Sequence, residues 1–315
     1  MPAPKTVDVT VWQIKQQAMQ MAEELSVPPF WITDWLLCVI DKPALFLITD
    51  DSYQLNDVEA ERFNAGVTKM QQGIPLAYLT GTQAFWSLDF TVNKHTLIPR
   101  PDTEVLVETV LEWIKNHPLS TTPMLKPMLK PMLKPMRLLD LGTGSGCIAI
   151  SLAHELKLAN KLKQVSWQVV AVDFSLEALK IAQHNAVSHA VDIEFVHSSW
   201  YDELPASDKP LFDVIVSNPP YIDESDEHLV HLVAEPISAL SAPNYGLADI
   251  EHIVHHAPQY LKVGGLLAIE HGYDQGLAVR QLFSDNHFNN IRTIKDFGNN
   301  DRVTLGEFTK NKLQY

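Results

Sequence analysis

Arg137-Leu138-Leu139-Asp140-Leu141-Gly142-Thr143-Gly144-Ser145-Gly146-Cys147 runs from a short apolar segment through a glycine-rich loop into the start of a helix. Read as strand Arg137–Leu141 followed by helix Cys147–Lys157, it is the opening unit of an alternating βα chain. The alternation continues downstream. Strands are expected at Gln168–Asp173, Ile193–His197, Asp213–Ser217 and Leu266–His271, with helices at Leu176–His189, Leu247–Leu261 and Gln275–Asn286. A final pair, Ile291–Phe297 and Arg302–Phe308, turns at Asn299-Asn300-Asp301. This pattern predicts an α/β fold: a Rossmann-like, mostly parallel seven-stranded sheet with helices on both faces and an antiparallel edge.

The chain before this core reads differently. Residues 8–73 look helical, with Asp8 as a cap and Val11, Ile14, Ala18, Met21, Ala22 and Leu25 on one face. Pro28 and Pro29 stop that helix, Ile32–Ile40 and Ala44–Ile48 are further apolar segments, and Asn56 caps a helix with Val58, Phe63, Val67 and Met70 inward, closed by Gly73. Trp12, Trp31 and Trp35 are expected in the core of this unit. From Gln83 to Ile98 the pattern turns to β, broken by Asn93-Lys94, and reads as a hairpin. Pro101-Asp102-Thr103-Glu104 then opens a helix reaching about Asn116. The expected organisation is a helical substrate-recognition domain (1–82), a β-hairpin linker (83–98) and a catalytic domain (99–315). A Pro-Met-Leu-Lys repeat interrupts the last at 123–136, where a proline at every fourth position forbids a helix. It is expected as an extended surface loop at the sheet edge away from the site.

Composition excludes several classes. The 315 residues carry a net charge of −14, which leaves no basic face for direct nucleic-acid binding. No stretch has the length and apolarity of a membrane span, and the N-terminus has no signal core. Cys38 and Cys147 read as separate buried thiols of a reducing compartment, so the chain is expected to be cytoplasmic, and as a monomer. His252, His255 and His256 share a helix face but lack further ligands at metal spacing, so no metal is expected.

Two places carry chemistry. The loop has GxGxG spacing rather than GxGxxG, and Asp140 before it suits a cationic ligand better than a pyrophosphate. Asp173 ends the second strand, where a carboxylate binds ribose hydroxyls, and Trp200 after the third can stack on a purine. Together these call for a nucleoside cofactor without phosphates, S-adenosylmethionine. The second place is Asn218-Pro219-Pro220-Tyr221, where a buried strand ends. The prolines remove competing N–H groups, leaving the Asn218 side-chain oxygen and the Pro219 carbonyl to accept from a planar –NH2 group while Tyr221 packs over it.

At these residues the sequence resembles the release-factor glutamine methyltransferases, the HemK/PrmC family. The matching stretches are Gly73–Gly81, Phe85–Leu88, Ile98-Pro99-Arg100-Pro101-Asp102-Thr103-Glu104, Asp140–Gly146, Ser217–Asp223, Glu270-His271-Gly272 and Asp301–Gly306. The resemblance implies a small helical domain, a hairpin linker and a class I methyltransferase domain. It implies methyl transfer from S-adenosylmethionine to the side-chain nitrogen of the glutamine in the GGQ motif of peptide chain release factors, which are the expected partners. By position, Gly142, Thr143, Gly144, Ser145, Gly146, Asp173, Trp200 and Asn218 are expected at the cofactor. Asn218, Pro219, Pro220 and Tyr221 are expected at the glutamine, with Asn218, Pro219 and Tyr221 catalytic. The chain departs from the family at Ser199, where an acidic residue is common, and at Val233-Ala234-Glu235-Pro236, where Arg-Phe-Glu-Pro is usual. The competing readings are a DNA adenine-N6 or cytosine-N4 methyltransferase, an rRNA guanine methyltransferase, and a non-enzymatic module that binds release factors. The acidic composition opposes the nucleic-acid readings, and a mere binding module does not need the loop, Asp173 and Asn218 together.

Overall fold

The computed structural model describes residues 10–117, 135–163, 166–204 and 212–310. The expected cap Asp8 and the repeat as far as residue 134 lie outside them. The chain divides into two units, Met1–Thr82 with His231–Ala234, and Gln83–Val230 with Glu235–Tyr315.

The first unit is helical. Helix α1 (Val11–Leu25) starts at Thr10, whose side chain accepts from the Gln13 amide while the Gln13 side chain returns to the Thr10 N–H. It is followed by α2 (Pro29–Ile40), α3 (Phe46–Thr49), α4 (Asp57–Gln71) and the short α5 (Leu76–Thr80), which periodicity did not reveal. Asn56 caps α4 as expected, with Glu59 completing the reciprocal pair. Val11, Ile14, Ala18, Ala22, Ile32, Leu36, Phe63 and Met70 are buried together. Two expectations fail. Val58 sits in the first turn of α4 on the solvent side, 74% exposed, and Trp12 at the start of α1 is 51% exposed. Trp35 is the core indole: its N–H donates to the Phe63 carbonyl, and its ring lies so close to Gly66 that no side chain fits there.

The second unit begins with a hairpin, β1 (Thr82–Phe85) and β2 (Leu88–Thr91). Its turn is Trp86-Ser87, not Asn93-Lys94. Both turn residues are left-handed (φ 52° and 59°), the geometry that matches the twist of a two-residue hairpin. The Trp86 N–H is held by Glu104 and its indole N–H by Glu155. After a single 3-10 turn (Pro101–Thr103) comes α6 (Glu104–Asn116).

The sheet strands follow: β3 (Met136–Leu141), β4 (Trp167–Asp173), β5 (Ile193–His197) and β6 (Phe212–Ser217). Then come the two-residue β7 (Ile222–Asp223) and β8 (Ser241–Ala242), and β9 (Leu261–Glu270), β10 (Phe288–Lys295) and β11 (Asp301–Phe308). Between them lie α7 (Cys147–Lys163), α8 (Leu176–Ser188), α9 (Ala248–Tyr260) and α10 (Gly276–Asp285). The seven-stranded sheet has the order β10-β11-β9-β6-β3-β4-β5. Strands β9, β6, β3, β4 and β5 are parallel, and β11 is antiparallel to both β9 and β10. Alternate residues of the strands separate the two faces. Leu138, Val169, Val214 and Ala268 pack with α6 and α7, whereas Leu139, Val170, Ile215 and Leu267 pack with α9 and α10. Chain order reverses between β3 and β6, whose last residues, Leu141 and Ser217, are paired. A crevice at such a switch point is where open α/β sheets bind ligands. The glycine loop leaves β3 there, and Asn218 leaves β6.

Candidate active site

The cleft at the carboxyl ends of β3, β4, β5 and β6 has a volume of about 460 Å³. Of the residues expected from the sequence, Gly142, Gly144, Asp173, Trp200, Asn218 and Pro220 line it. Thr143, Ser145, Gly146, Pro219 and Tyr221 do not; the first three stand behind the wall as part of the turn that shapes it. Gly146 (φ 84°) leaves no room for a side chain, since a Cβ there would lie 2.7 Å from Ile150 Cδ1.

The loop is braced from below by its carboxylates. Asp140 is fully buried, so it does not face the ligand as expected. Its Oδ2 accepts from the Thr143 hydroxyl (2.6 Å) and the Ala149 N–H (3.2 Å), tying the loop to the first turn of α7. Burial pushes its carboxyl up to about 7. Asp173 lies at the wall. Its Oδ2 accepts the Gly144 N–H and its Oδ1 the Ser175 N–H, both at 2.8 Å. Burial raises its pKa, and these two bonds oppose the rise. Ser175, not Asp173, caps α8.

Four of the loop amides are engaged within the chain. Gly142 and Thr143 both donate to the Val172 carbonyl, Gly144 to Asp173, and Gly146 to the Thr143 carbonyl. These four are not free to form a nest for a phosphate. Asp173 retains lone pairs for hydroxyl donors. Trp200, left-handed at φ 47°, packs its ring against Gly142, where a Cβ would be 3.3 Å away. Asp249, at the start of α9, shares the cleft wall with Trp200, and burial raises its carboxyl. Sequence reading missed Asp249, as it missed Phe174 and the segment Lys94–Leu97, all of which line the cleft.

Pro219 and Pro220 are buried and Asn218 is half-buried. Ser217 fixes the end of β6 by donating to the Leu141 carbonyl (2.8 Å). The Asn218 Nδ2 donates to Thr103 Oγ1 at 3.2 Å. Tyr221 is held at both ends: its hydroxyl donates to Glu270 Oε1 (3.2 Å), and its carbonyl accepts from Gln275 Nε2 (2.9 Å), which also reaches the Tyr245 carbonyl. Burial, then the Glu270 charge, pushes the Tyr221 phenol well up, so it stays a neutral donor. In the loop that departs from the family pattern, Glu235 is buried, accepts the Ile98 N–H (3.0 Å) and pairs with Arg100. It fastens the Ile98–Arg100 stretch.

A sheet of this order, with a cleft at its switch point, is that of a class I methyltransferase. The model of the methyltransferase small domain matches residues 120–244, and that of the PrmC N-terminal domain matches residues 29–81. The chain is 39% identical over 266 residues to the release factor glutamine methyltransferase of Haemophilus influenzae (84% of this chain, 86% of that one) and 40% identical over 299 residues to that of Vibrio cholerae (94% and 95%). The chain belongs to the release factor glutamine methyltransferase family. The crystal structure of the hMettl16 catalytic domain in complex with MAT2A 3'UTR hairpin 6 superposes with a TM-score of 0.50 at 16% identity, covering 82% of this chain and 84% of that one; it shows the fold alone.

Among the described residues, no group of three or more His, Cys, Asp or Glu is placed to hold a metal ion, and no helix is long and apolar enough to cross a membrane. The His252, His255 and His256 rings pack on one another instead.

Proposed function

We propose that this chain methylates the side-chain amide nitrogen of the GGQ glutamine in peptide chain release factors, using S-adenosylmethionine. The observation that carries the reading is the orientation of Asn218. Its Nδ2 is occupied by Thr103, and among the described residues no donor reaches Oδ1. An acceptor is thus presented beside two prolines that offer carbonyls without N–H groups.

The residues fit the cofactor. The cleft has the volume for a nucleoside with an amino-acid tail, the Gly142, Thr143, Gly144 and Gly146 amides are engaged within the chain rather than held for phosphates, and Asp173 offers acceptors to hydroxyls. Gly142, Gly144, Asp173 and Trp200 would hold it. Bound there, S-adenosylmethionine supplies an electrophilic methyl group on a cationic sulfur.

Everything else falls to the chain's own groups. An amide nitrogen is a weak nucleophile because its lone pair is delocalised into the carbonyl. Asn218 Oδ1 and the Pro219 carbonyl accept its two N–H groups and fix its direction of approach. They also favour the positive charge that develops on it during transfer. Tyr221, clamped by Glu270 and Gln275, walls the planar amide from one side. Their contribution is position and preorganised charge; the proton that the methylated, cationic nitrogen must then lose would pass by way of the accepting oxygens to solvent.

Labelled S-adenosylmethionine offered with purified release factor and with plasmid DNA tests the proposal. Label in the release factor is expected. Label in DNA alone overturns it in favour of an exocyclic base amine, and label in neither favours a binding module.

A further inference from the structure

Three large side chains stand well out of the surface beside the tetrapeptide: Tyr245 (80% exposed), Tyr273 (68%) and Leu277 (75%). Single exposed apolar residues are ordinary. The backbones of these three converge on one buried side chain, Gln275. Its Nε2 donates to the Tyr221 carbonyl and to the Tyr245 carbonyl, both at 2.9 Å, so the exposed tyrosine and the tetrapeptide are held by the same nitrogen. Its Oε1 accepts the Gly272 N–H (2.8 Å), and its own N–H donates to the Gly272 carbonyl (3.1 Å), closing the turn that carries Tyr273. Leu277 follows in the first turn of α10.

Tyr245 is also strained. Asn244, Tyr245 and Gly246 are all left-handed (φ 56°, 56° and 77°). Asparagine and glycine adopt this backbone readily, whereas a bulky tyrosine does not. Burial of the ring does not compensate, because the ring is exposed. A large side chain kept in solvent on strained backbone, next to the reacting groups, serves contact with something outside the chain rather than its own stability.

We propose that Tyr245, Tyr273 and Leu277 form a docking surface for the release factor, against the residues that flank its GGQ glutamine. The inference rests on the reading of that glutamine as the methyl acceptor. A glutamine that reaches Asn218–Tyr221 belongs to a protein, so its neighbours must lie against whatever borders the tetrapeptide. Tyr245 is on that border: it shares Gln275 with Tyr221, and a Cβ on the adjoining Gly246 would lie 2.0 Å from the Tyr221 carbonyl oxygen. Tyrosine brings a large, stiff contact area and a polar tip, which is why it is enriched in the cores of interfaces. The matching face of the partner is apolar, with hydrogen-bonding groups for two phenol hydroxyls.

The test uses the full chain and whole release factor, with initial rates measured over release-factor concentration. Tyr245→Asn and Tyr273→Ser together are expected to raise KM for the release factor by about tenfold or more, the loss that follows removal of interface anchors. Cofactor affinity by calorimetry, and kcat at saturation, should stay within about threefold. Tyr245→Asn alone relieves the backbone, so it should raise KM without lowering the urea midpoint, the opposite of what a merely structural tyrosine would give. Should the pair fold poorly, Leu277→Ser is expected to raise KM in the same direction. Val187→Ser, equally exposed (80%) near the end of α8, should leave KM unchanged. An unmoved KM in the Tyr245 and Leu277 variants overturns the inference, as does an equal rise in Val187→Ser or a fall in kcat alone. A wild-type dimer that the variants dissociate, with KM unmoved, gives the face to a second copy of the chain and overturns it too. No methylation of the release factor by the wild-type chain overturns the parent reading instead.

Discussion

Asp173 Oδ2 and the Gly144 N–H are hydrogen-bonded at 2.8 Å, so the glycine loop is closed by a carboxylate of the chain itself. A loop that binds phosphates keeps such amides for its ligand. Here the same carboxylate both shapes the loop and faces the cleft. Asp173→Ala should weaken cofactor binding by about tenfold to a hundredfold, the range of one charge-assisted hydrogen bond and the loosened turn, read by calorimetry. Unchanged affinity would reduce Asp173 to a brace.

Gly246 explains why the loop before α9 touches the tetrapeptide. It is left-handed (φ 77°), and a Cβ there would lie 2.0 Å from the Tyr221 carbonyl oxygen and 2.8 Å from Gln275 Nε2. Gly246→Ala should push Tyr221 out of the clamp formed by Gln275. The expected outcome is a large loss of methyl transfer with cofactor affinity retained, and a stability cost on the order of 1–3 kcal/mol by chemical denaturation.

Asp140 has a sign that differs from the usual acidic group. Its pKa is about 7 when folded, whereas an unfolded aspartate titrates near about 4. Between those values the folded state holds a proton that the unfolded state has lost, so the contribution is full below the unfolded pKa and is lost as pH rises through about 7. Asp140→Asn keeps an acceptor for Thr143 and Ala149 but cannot titrate. The stability of the wild type relative to this variant should therefore fall between about pH 4 and pH 7, by on the order of 1–3 kcal/mol, in urea unfolding at each pH. A constant difference would contradict it.

Glu235 joins distant parts of the catalytic unit through Ile98 and Arg100. Glu235→Ala leaves the buried Ile98 N–H unpaired, at about 1–3 kcal/mol of stability. The partly exposed Arg100 adds little because solvent screens it. Glu235→Gln, with an acceptor retained, should recover most of the loss.

The strands of the sheet were legible because each is a short apolar run followed by turn or helix residues; β5 (Ile193–His197) has the expected bounds. The hairpin turn was misplaced because Trp86 and Ser87 carry none of the usual turn chemistry and are held by tertiary bonds to Glu104 and Glu155. Asn93, which looked like the turn, uses its side chain to accept from the His95 N–H in the segment beyond. Gly142, Gly144, Asp173, Trp200 and Asn218, which line the cleft, were readable because each lies at or soon after a strand end. Asp140 was misread since spacing says nothing of which way a side chain points. Thr103, Glu270, Glu235 and Asp249 gave no local signal: each lies beside a partner far away in sequence, which only the folded sheet brings near.

The central claim is that Asn218 presents an acceptor to a glutamine amide. Fragment mass spectrometry of release factor after incubation with the wild-type chain and with Asn218→Ala tests it most directly. The account predicts a single methyl group on the side-chain nitrogen of the GGQ glutamine with the wild type. It predicts a loss of about a hundredfold or more in transfer with the variant, whose cofactor affinity remains measurable. A methyl group on any other residue, or near-normal transfer by Asn218→Ala, would contradict it.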